Sequence, residues 1–140
     1  MRLLLVGFAI ALSASSVLAA PSCPTVVTEA IAKAFPKATV QSCKAEKEDG
    51  RAQFELRITK KDATHAEVDV APDGTILQVE EKVAVAELPE AVKKAFAAKY
   101  PKAKGERAEK QTAGNNVSYE IAFGGKEATF RADGTFVGEE

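Results

Sequence analysis

Two short segments of this 140-residue chain place apolar residues at helical spacing. The first stripe consists of Val27, Ile31, Ala34 and Phe35, and the second of Val92, Ala95, Phe96 and Tyr100. Residues spaced in this way share one face of an α-helix, so each stripe predicts an amphipathic helix. Pro36 and Pro101 follow the stripes. Because the residue before a proline is pushed out of the α region, each proline predicts the end of its helix.

Most of the remaining chain alternates apolar and polar residues with the period of two that is typical of β-strands. The predicted inward positions are Phe54, Leu56, Ile58, Ala66, Val68 and Val70 in the first half and Tyr119, Ile121, Phe123, Ala128, Phe130 and Phe136 in the second. The predicted turns are Asp49-Gly50, Pro72-Asp73-Gly74 and Asp133-Gly134. Antiparallel strands behind a helix predict an α+β fold, with the helix on one sheet face and the other face polar and open to water.

The two halves of the chain repeat one another. Residues 27–38 align with residues 92–103 at an offset of 65, and Asp73 aligns with Asp133 at an offset of 60. We therefore predict two tandem α-β-β-β(-β) repeats, residues 21–83 and 84–140, each a helix packed on an antiparallel sheet. About five extra residues fall in the loop at 60–64 of the first repeat. Since a unit of about 55 residues buries a thin core, the two are expected to dock, with continuous or adjoining sheets.

Residues 1–20 have the features of a cleavable signal peptide. Arg2 precedes an apolar run from Leu3 to Leu12, and small residues follow. The mature chain is expected to start near Ala20 or Pro21, to contain no further span, and to be periplasmic or secreted. A retained anchor and a lipoprotein modified at Cys23 are the alternatives, and proline before Cys23 fits lipoprotein processing poorly.

Cys23 and Cys43 are the two cysteines of the chain. In an oxidising compartment they are expected to form a disulfide that joins the start of the first helix to the strand after it, worth roughly 3 kcal/mol. A redox or metal-binding pair is the alternative, but the chain has no Cys-x-x-Cys and its one histidine, His65, is the only other soft ligand.

Charge and composition exclude several function classes. The chain has 19 basic and 20 acidic residues, so it offers no basic field for nucleic acid. His65 lies in a polar stretch and is expected to be a plain exposed side chain rather than a catalytic base. Neither a zinc site nor an EF-hand calcium loop can be assembled from the motifs present. We expect no enzymatic activity and no cofactor.

The polar face of the sheet is the remaining candidate site. Its predicted members are Glu55, Arg57, Glu67, Asp69, Glu120, Glu127 and Arg131. This face is either an ordinary hydrated surface or a protein-docking surface whose mixed charge favours specificity. The charged runs at residues 80–82 and 139–140 are expected to be solvated. A small-ligand or metal sensor is the alternative function.

One motif resembles a known family. The motif begins with Leu88-Pro89-Glu90-Ala91-Val92 and continues with Phe96 and Tyr100-Pro101-Lys102-Ala103. A strand at Tyr119-Glu120-Ile121 and the Asp133-Gly134 turn follow it. This pattern is similar to that of the PepSY-like family. That family is described as similar to the beta-lactamase inhibitor protein, which is built from tandem helix-plus-sheet repeats. The first half departs from it, because Thr25-Val26-Val27 replaces the Leu-Pro-Glu start.

The resemblance implies a small exported module. Related PepSY domains are associated with protease propeptides, and related inhibitor folds bind through the exposed sheet face. From it we expect a binding module that inhibits or regulates a periplasmic or secreted enzyme, with another exported protein as its partner.

Overall fold

Two α-helices lie on one face of a single sheet in the computed structural model, which describes residues 23–140. The helices are α1 (Thr25–Ala34) and α2 (Glu90–Lys99). The strands are β1 (Thr39–Glu48), β2 (Arg51–Thr59), β3 (His65–Val70), β4 (Ile76–Val83), β5 (Arg107–Ala113), β6 (Asn116–Phe123), β7 (Lys126–Arg131) and β8 (Phe136–Glu139). The α+β class is confirmed, while the predicted signal peptide at residues 1–20 lies outside the described residues.

All eight strands form one open antiparallel sheet in sequence order. The pairing of β4 with β5 joins the two halves, running from Val79 opposite Thr112 to Val83 opposite Ala108. Of the two arrangements that the sequence left open, the continuous sheet is the one present.

Two apolar cores lie between the helices and the sheet. The first contains Val27, Ile31, Leu56, Ile58, Ala66, Val68 and Val70, and the second contains Leu88, Val92, Phe96, Ala108, Ile121, Phe123, Ala128 and Phe130. Between them, Val83, Val85 and Leu88 of the connection pack into the second core, and Val85–Glu87 forms a 3-10 helix. The connection is therefore fixed to the sheet.

The prediction was wrong for one residue of the helical stripes. Ala34 is exposed, and Ala30 packs against the first core instead. Ala34 is the last residue of α1, and Phe35 leaves the helical conformation with φ −126° and ψ 73° before it reaches the core. Ala30 therefore takes the place assigned to Ala34, while Val27, Ile31 and Phe35 pack as predicted.

The turn after β3 and the turn after β7 both lie against a helix. In each turn an aspartate accepts a hydrogen bond from a backbone N–H two residues later. Asp73 accepts from Thr75 and Asp133 accepts from Thr135, each at 2.9 Å. Gly134 has φ +88°, and a Cβ there would lie 2.7 Å from the carbonyl oxygen of Ala91 in α2. The first turn of α2 thus rests directly on this backbone.

The disulfide prediction is confirmed. Cys23 and Cys43 are bonded with a Cα–Cα distance of 5.6 Å, inside the usual range. Cys23 lies just before α1, and Cys43 lies in the edge strand β1. The bond therefore fastens the start of α1 to the edge of the sheet.

The prediction that the charged runs are merely solvated was wrong for Glu80 and Glu81, which are partly buried, whereas Glu139 is exposed as predicted. Glu81 forms an ion pair with Lys60, and both side chains are only about a quarter exposed, at 27% and 24%. Glu139 accepts hydrogen bonds from Lys126 Nζ at 2.8 Å and from Tyr100 Oη at 2.6 Å, which lower the pKa of the Glu139 carboxyl. Both carboxylates meet donors that are distant in sequence.

Candidate docking face on the open side of the sheet

The sheet face opposite the helices, here called the open face, is polar along its whole width. Strand register places alternate residues of β2 to β7 on it, and one row across the sheet runs through Arg57, Glu67, Glu80, Gln111, Ser118 and Arg131. The seven residues predicted for this face all lie on it: Glu55, Arg57, Glu67, Asp69, Glu120, Glu127 and Arg131.

Sequence reasoning missed the contributions of three strands to the open face. The missed residues are Lys44, Glu46 and Glu48 of β1, Gln78, Glu80 and Lys82 of β4, and Arg107, Glu109 and Gln111 of β5. The alternation Gln78-Val79-Glu80 was a usable signal for β4. Strand β5 had none, because Ala108 is its only fully buried residue.

A buried amide organises the end of the open face next to the β1–β2 hairpin. Gln53 is only 5% exposed, and its Nε2 donates to Glu46 Oε1 and to Glu48 Oε2 at 3.0 Å each. The amide is neutral, so it positions two carboxylates without cancelling their charge. Glu55 and Asp69 lie opposite each other on the adjoining strands, a like-charge pairing that is unfavourable.

Two arginines of the open face form ion pairs with glutamates. Arg57 Nε contacts Glu67 Oε1 at 3.0 Å, and Arg107 Nη2 contacts Glu127 Oε1 at 3.1 Å. Both pairs are well exposed, and such pairs typically contribute less than about 1 kcal/mol. Among residues 23–140, no cationic side chain lies within 4 Å of the carboxylate of Asp69.

Three carboxyls of the open face hold protons more tightly than usual. Partial burial, followed by the charges of Glu80, Glu48, Glu46 and Glu55, raises the pKa of Asp69 to about 6. Partial burial is also the main cause that raises the pKa of Glu80 and of Glu120, with neighbouring glutamates adding to it. The charge of this face therefore depends on pH in the mildly acidic range.

Two adjoining grooves lie on the open face of the first half. One, of about 260 Å³, is lined mostly by carboxylates, Glu48 and Asp69 among them, and by one cation, Lys47. The other, of about 580 Å³, has mixed charge and is lined in part by His65 and Lys82. Both are also lined by Glu67 and Glu80, so they form one continuous depression.

The sole histidine lies at the border of this depression. His65 is exposed, and its Nδ1 is 3.1 Å from Thr59 Oγ1. Within the described part of the chain, no group of three or more His, Cys, Asp or Glu residues is placed to hold a metal ion. Over the same residues, the structure contains no helix with the length and apolar character needed to cross a bilayer.

Solved structures with the same fold come from Bacteroides. A BLIP-like protein from Bacteroides fragilis has a TM-score of 0.63 and 20% identity, covering 84% of each chain. A DUF2874 family protein from Bacteroides ovatus has a TM-score of 0.68 and 15% identity, covering 84% of this chain and 86% of that one. A Bacteroides eggerthii protein, proposed to be periplasmic, has a TM-score of 0.65 and 16% identity, covering 84% and 87%. The sequence matches no protein-family model and no curated protein.

Proposed function

We propose that this protein is an exported, non-enzymatic module that binds another exported protein through its open face and so inhibits or regulates a periplasmic or secreted enzyme. The observation that carries the proposal is a broad sheet face with mixed charge, against which no described residue of the chain packs. Binding through charged and polar groups favours specificity and fast association over raw affinity.

The similar structures support the fold and the location in this proposal. Their names describe a BLIP-like protein and a protein proposed to be periplasmic, and this chain has the same fold. The apolar stretch at residues 3–12 and the disulfide agree with export, because disulfides persist in oxidising compartments. We therefore propose a periplasmic or secreted location, with residues 1–20 as the cleaved signal.

We also propose that residues 21–83 and 84–140 are two copies of one PepSY-like unit. The constant offset of 65 between matching residues supports this, as does an element order in which a helix precedes four strands twice. On this view the pairing of β4 with β5 merges two four-stranded sheets into one binding surface.

Charge reversal on the open face tests the docking proposal. The tagged protein is used to capture partners from the envelope and secreted fractions of its native host. Arg131→Glu, on β7 and away from the acidic groove, should reduce the recovered partner at least tenfold without changing the free energy of unfolding. Lys33→Glu, on the exposed side of α1, is the matched control and should retain the partner. The proposal fails if no protein is enriched, or if the two variants behave alike.

The groove of about 580 Å³ favours small-ligand binding as the second candidate function. A ligand that binds only the folded state must raise the melting temperature at concentrations well above Kd. A thermal-shift screen of metals and small solutes should therefore identify one that stabilises the wild type, with a smaller effect on His65→Ala.

A further inference from the structure

The acidic end of the open face is defined as Glu46, Glu48, Glu55, Asp69 and Glu80, and among the described residues no cationic side chain lies within 4 Å of any of these carboxylates. The charged groups that face Asp69 from its own and neighbouring strands are Lys44, Glu46, Lys47 and Glu48 of β1, Glu55 and Arg57 of β2, Glu67 of β3 and Glu80 of β4. Of the cations, Arg57 is already engaged by Glu67. Lys44 lies opposite Glu55 and Arg51 opposite Glu48, both further from Asp69, and Lys47 lines the groove from β1. The six carboxylates of this region, counting Glu67, therefore outnumber its four cations.

The surroundings of Asp69 suit an added cation. Its neighbours across the two adjoining strands are Glu55 on one side and Gln78 on the other, so neither neutralises it. Gln53 holds two further carboxylates at the same end by neutral hydrogen bonds. The groove of about 260 Å³ provides room for side chains of a docked segment.

An extended segment matches this surface in dimensions. Side chains on one face of a strand repeat about every 6.8 Å, and neighbouring strands of the sheet lie about 4.8 Å apart. Lysine or arginine at alternate positions of such a segment would meet carboxylates contributed by β1 to β4. The open face would then recognise both the extended backbone of the segment and its positive charges, without aromatic side chains.

We propose that the partner of this protein lays an extended, lysine- or arginine-rich segment on the acidic end of the open face, and that the complex weakens as the pH falls below neutrality. This inference rests on the proposed function and names the partner chemistry and the regulation of the same face.

The pH dependence follows from linkage. A bound cation favours the ionised form of Asp69, so binding lowers its pKa from about 6 and releases a proton. About nine-tenths of a group with that pKa is ionised at pH 7 and about one-tenth at pH 5. Loss of this one ionised carboxylate weakens binding of the cationic segment about tenfold between pH 7 and pH 5. Glu80, whose pKa is also raised, adds in the same direction.

A synthetic peptide tests the inference. The probe is an acetylated and amidated nine-residue peptide of alternating lysine and threonine, titrated into the oxidised protein at low salt and followed by amide NMR shifts and calorimetry. Shifts are expected at the acidic end, with affinity about tenfold lower at pH 5 than at pH 7. A peptide with glutamate in place of lysine should not bind.

Two variants define the outcome. Asp69→Asn should weaken binding at pH 7 and remove most of the difference between pH 7 and pH 5, and Glu55→Gln should weaken it while leaving a pH dependence. Glu29→Gln, an equal charge change on an exposed residue of α1, should change neither. Equal affinity at both pH values, or binding of the glutamate peptide, would each overturn the inference.

The captured partner separates this inference from the proposed function. If a protein is captured through the open face but is held equally at pH 5 and pH 7, the docking function stands and this inference fails. If no protein is captured while the lysine peptide binds as described, the surface chemistry stands and the proposed function fails.

Discussion

Replacing Gly134 by alanine should destabilise the fold far more than the same replacement at Gly50. The two glycines have similar backbone conformations, with φ +88° and φ +77°. A Cβ at Gly134 would lie 2.7 Å from the carbonyl oxygen of Ala91, whereas a Cβ at Gly50 would meet no atom within 4 Å. The pair therefore separates the cost of close packing from the cost of the left-handed backbone.

The magnitude follows from these two contributions. A side chain in the left-handed region costs about 1 kcal/mol, and this applies to both variants. Forcing an added methyl group against a backbone carbonyl costs about 1–3 kcal/mol more, because the first turn of α2 must move away from the turn after β7. Gly134→Ala should therefore lose about 2–4 kcal/mol, against about 1 kcal/mol for Gly50→Ala.

Urea denaturation followed by circular dichroism measures both values, provided that the slope of the transition is unchanged. Gly74→Ala, where the nearest contacts of the new Cβ would be at 3.1 Å, should fall between the other two. Equal losses for Gly134→Ala and Gly50→Ala would refute the close approach of α2 to this turn. The proposed docking face would be unaffected, because α2 lies on the opposite side of the sheet.

Three further predictions concern stability. The pKa of Asp69 is about 6 when folded against about 3.9 when unfolded, so its stabilising contribution is fully present below pH 4 and is lost as the pH rises through 6. Because the carboxyl is only half-buried, Asp69→Asn should be more stable than the wild type by about 1 kcal/mol at pH 8 and should equal it near pH 4, by urea denaturation at each pH; a constant difference would contradict this. Replacing both Cys23 and Cys43 by serine should cost about 3 kcal/mol, and an equal melting temperature would exclude a stabilising bond. Leu56→Ala, at a fully buried site, should cost about 3 kcal/mol by the same assay, and a loss below about 1 kcal/mol would contradict the packing of α1 on the sheet.

The helices and most strands were predictable because their signals are local. Val27 and Ile31 of α1, and Leu56 and Ile58 of β2, occupy the core as their spacing predicted. Strand β5 was missed, because its remaining positions on the helix side of the sheet are Lys110 and Thr112, which belong to neither core. A strand placed between two cores needs no apolar alternation, so only its pairing partners identify it.

The sequence predicted which residues lie on the open face, but not which of their carboxyls have a raised pKa. Alternation assigned Glu55 and Asp69 to the polar face, as found. Partial burial is the main cause that raises the pKa of Asp69, and Glu80, Glu48 and Glu46 add to it from strands on both sides of β3. No local pattern relates these positions, so the acidic end could not be recognised from the sequence.

The sequence by itself determined which side of both helices and of most strands is apolar, where both helices end, and which cysteines are available to pair. These properties depend on side-chain volume, polarity and backbone preference within a few residues. The tertiary structure decided that β4 pairs with β5 to make one sheet, and which carboxylates become neighbours on its open face. Strand pairing is made by backbone hydrogen bonds that almost any residue can form, so its partners emerge only when the whole chain packs.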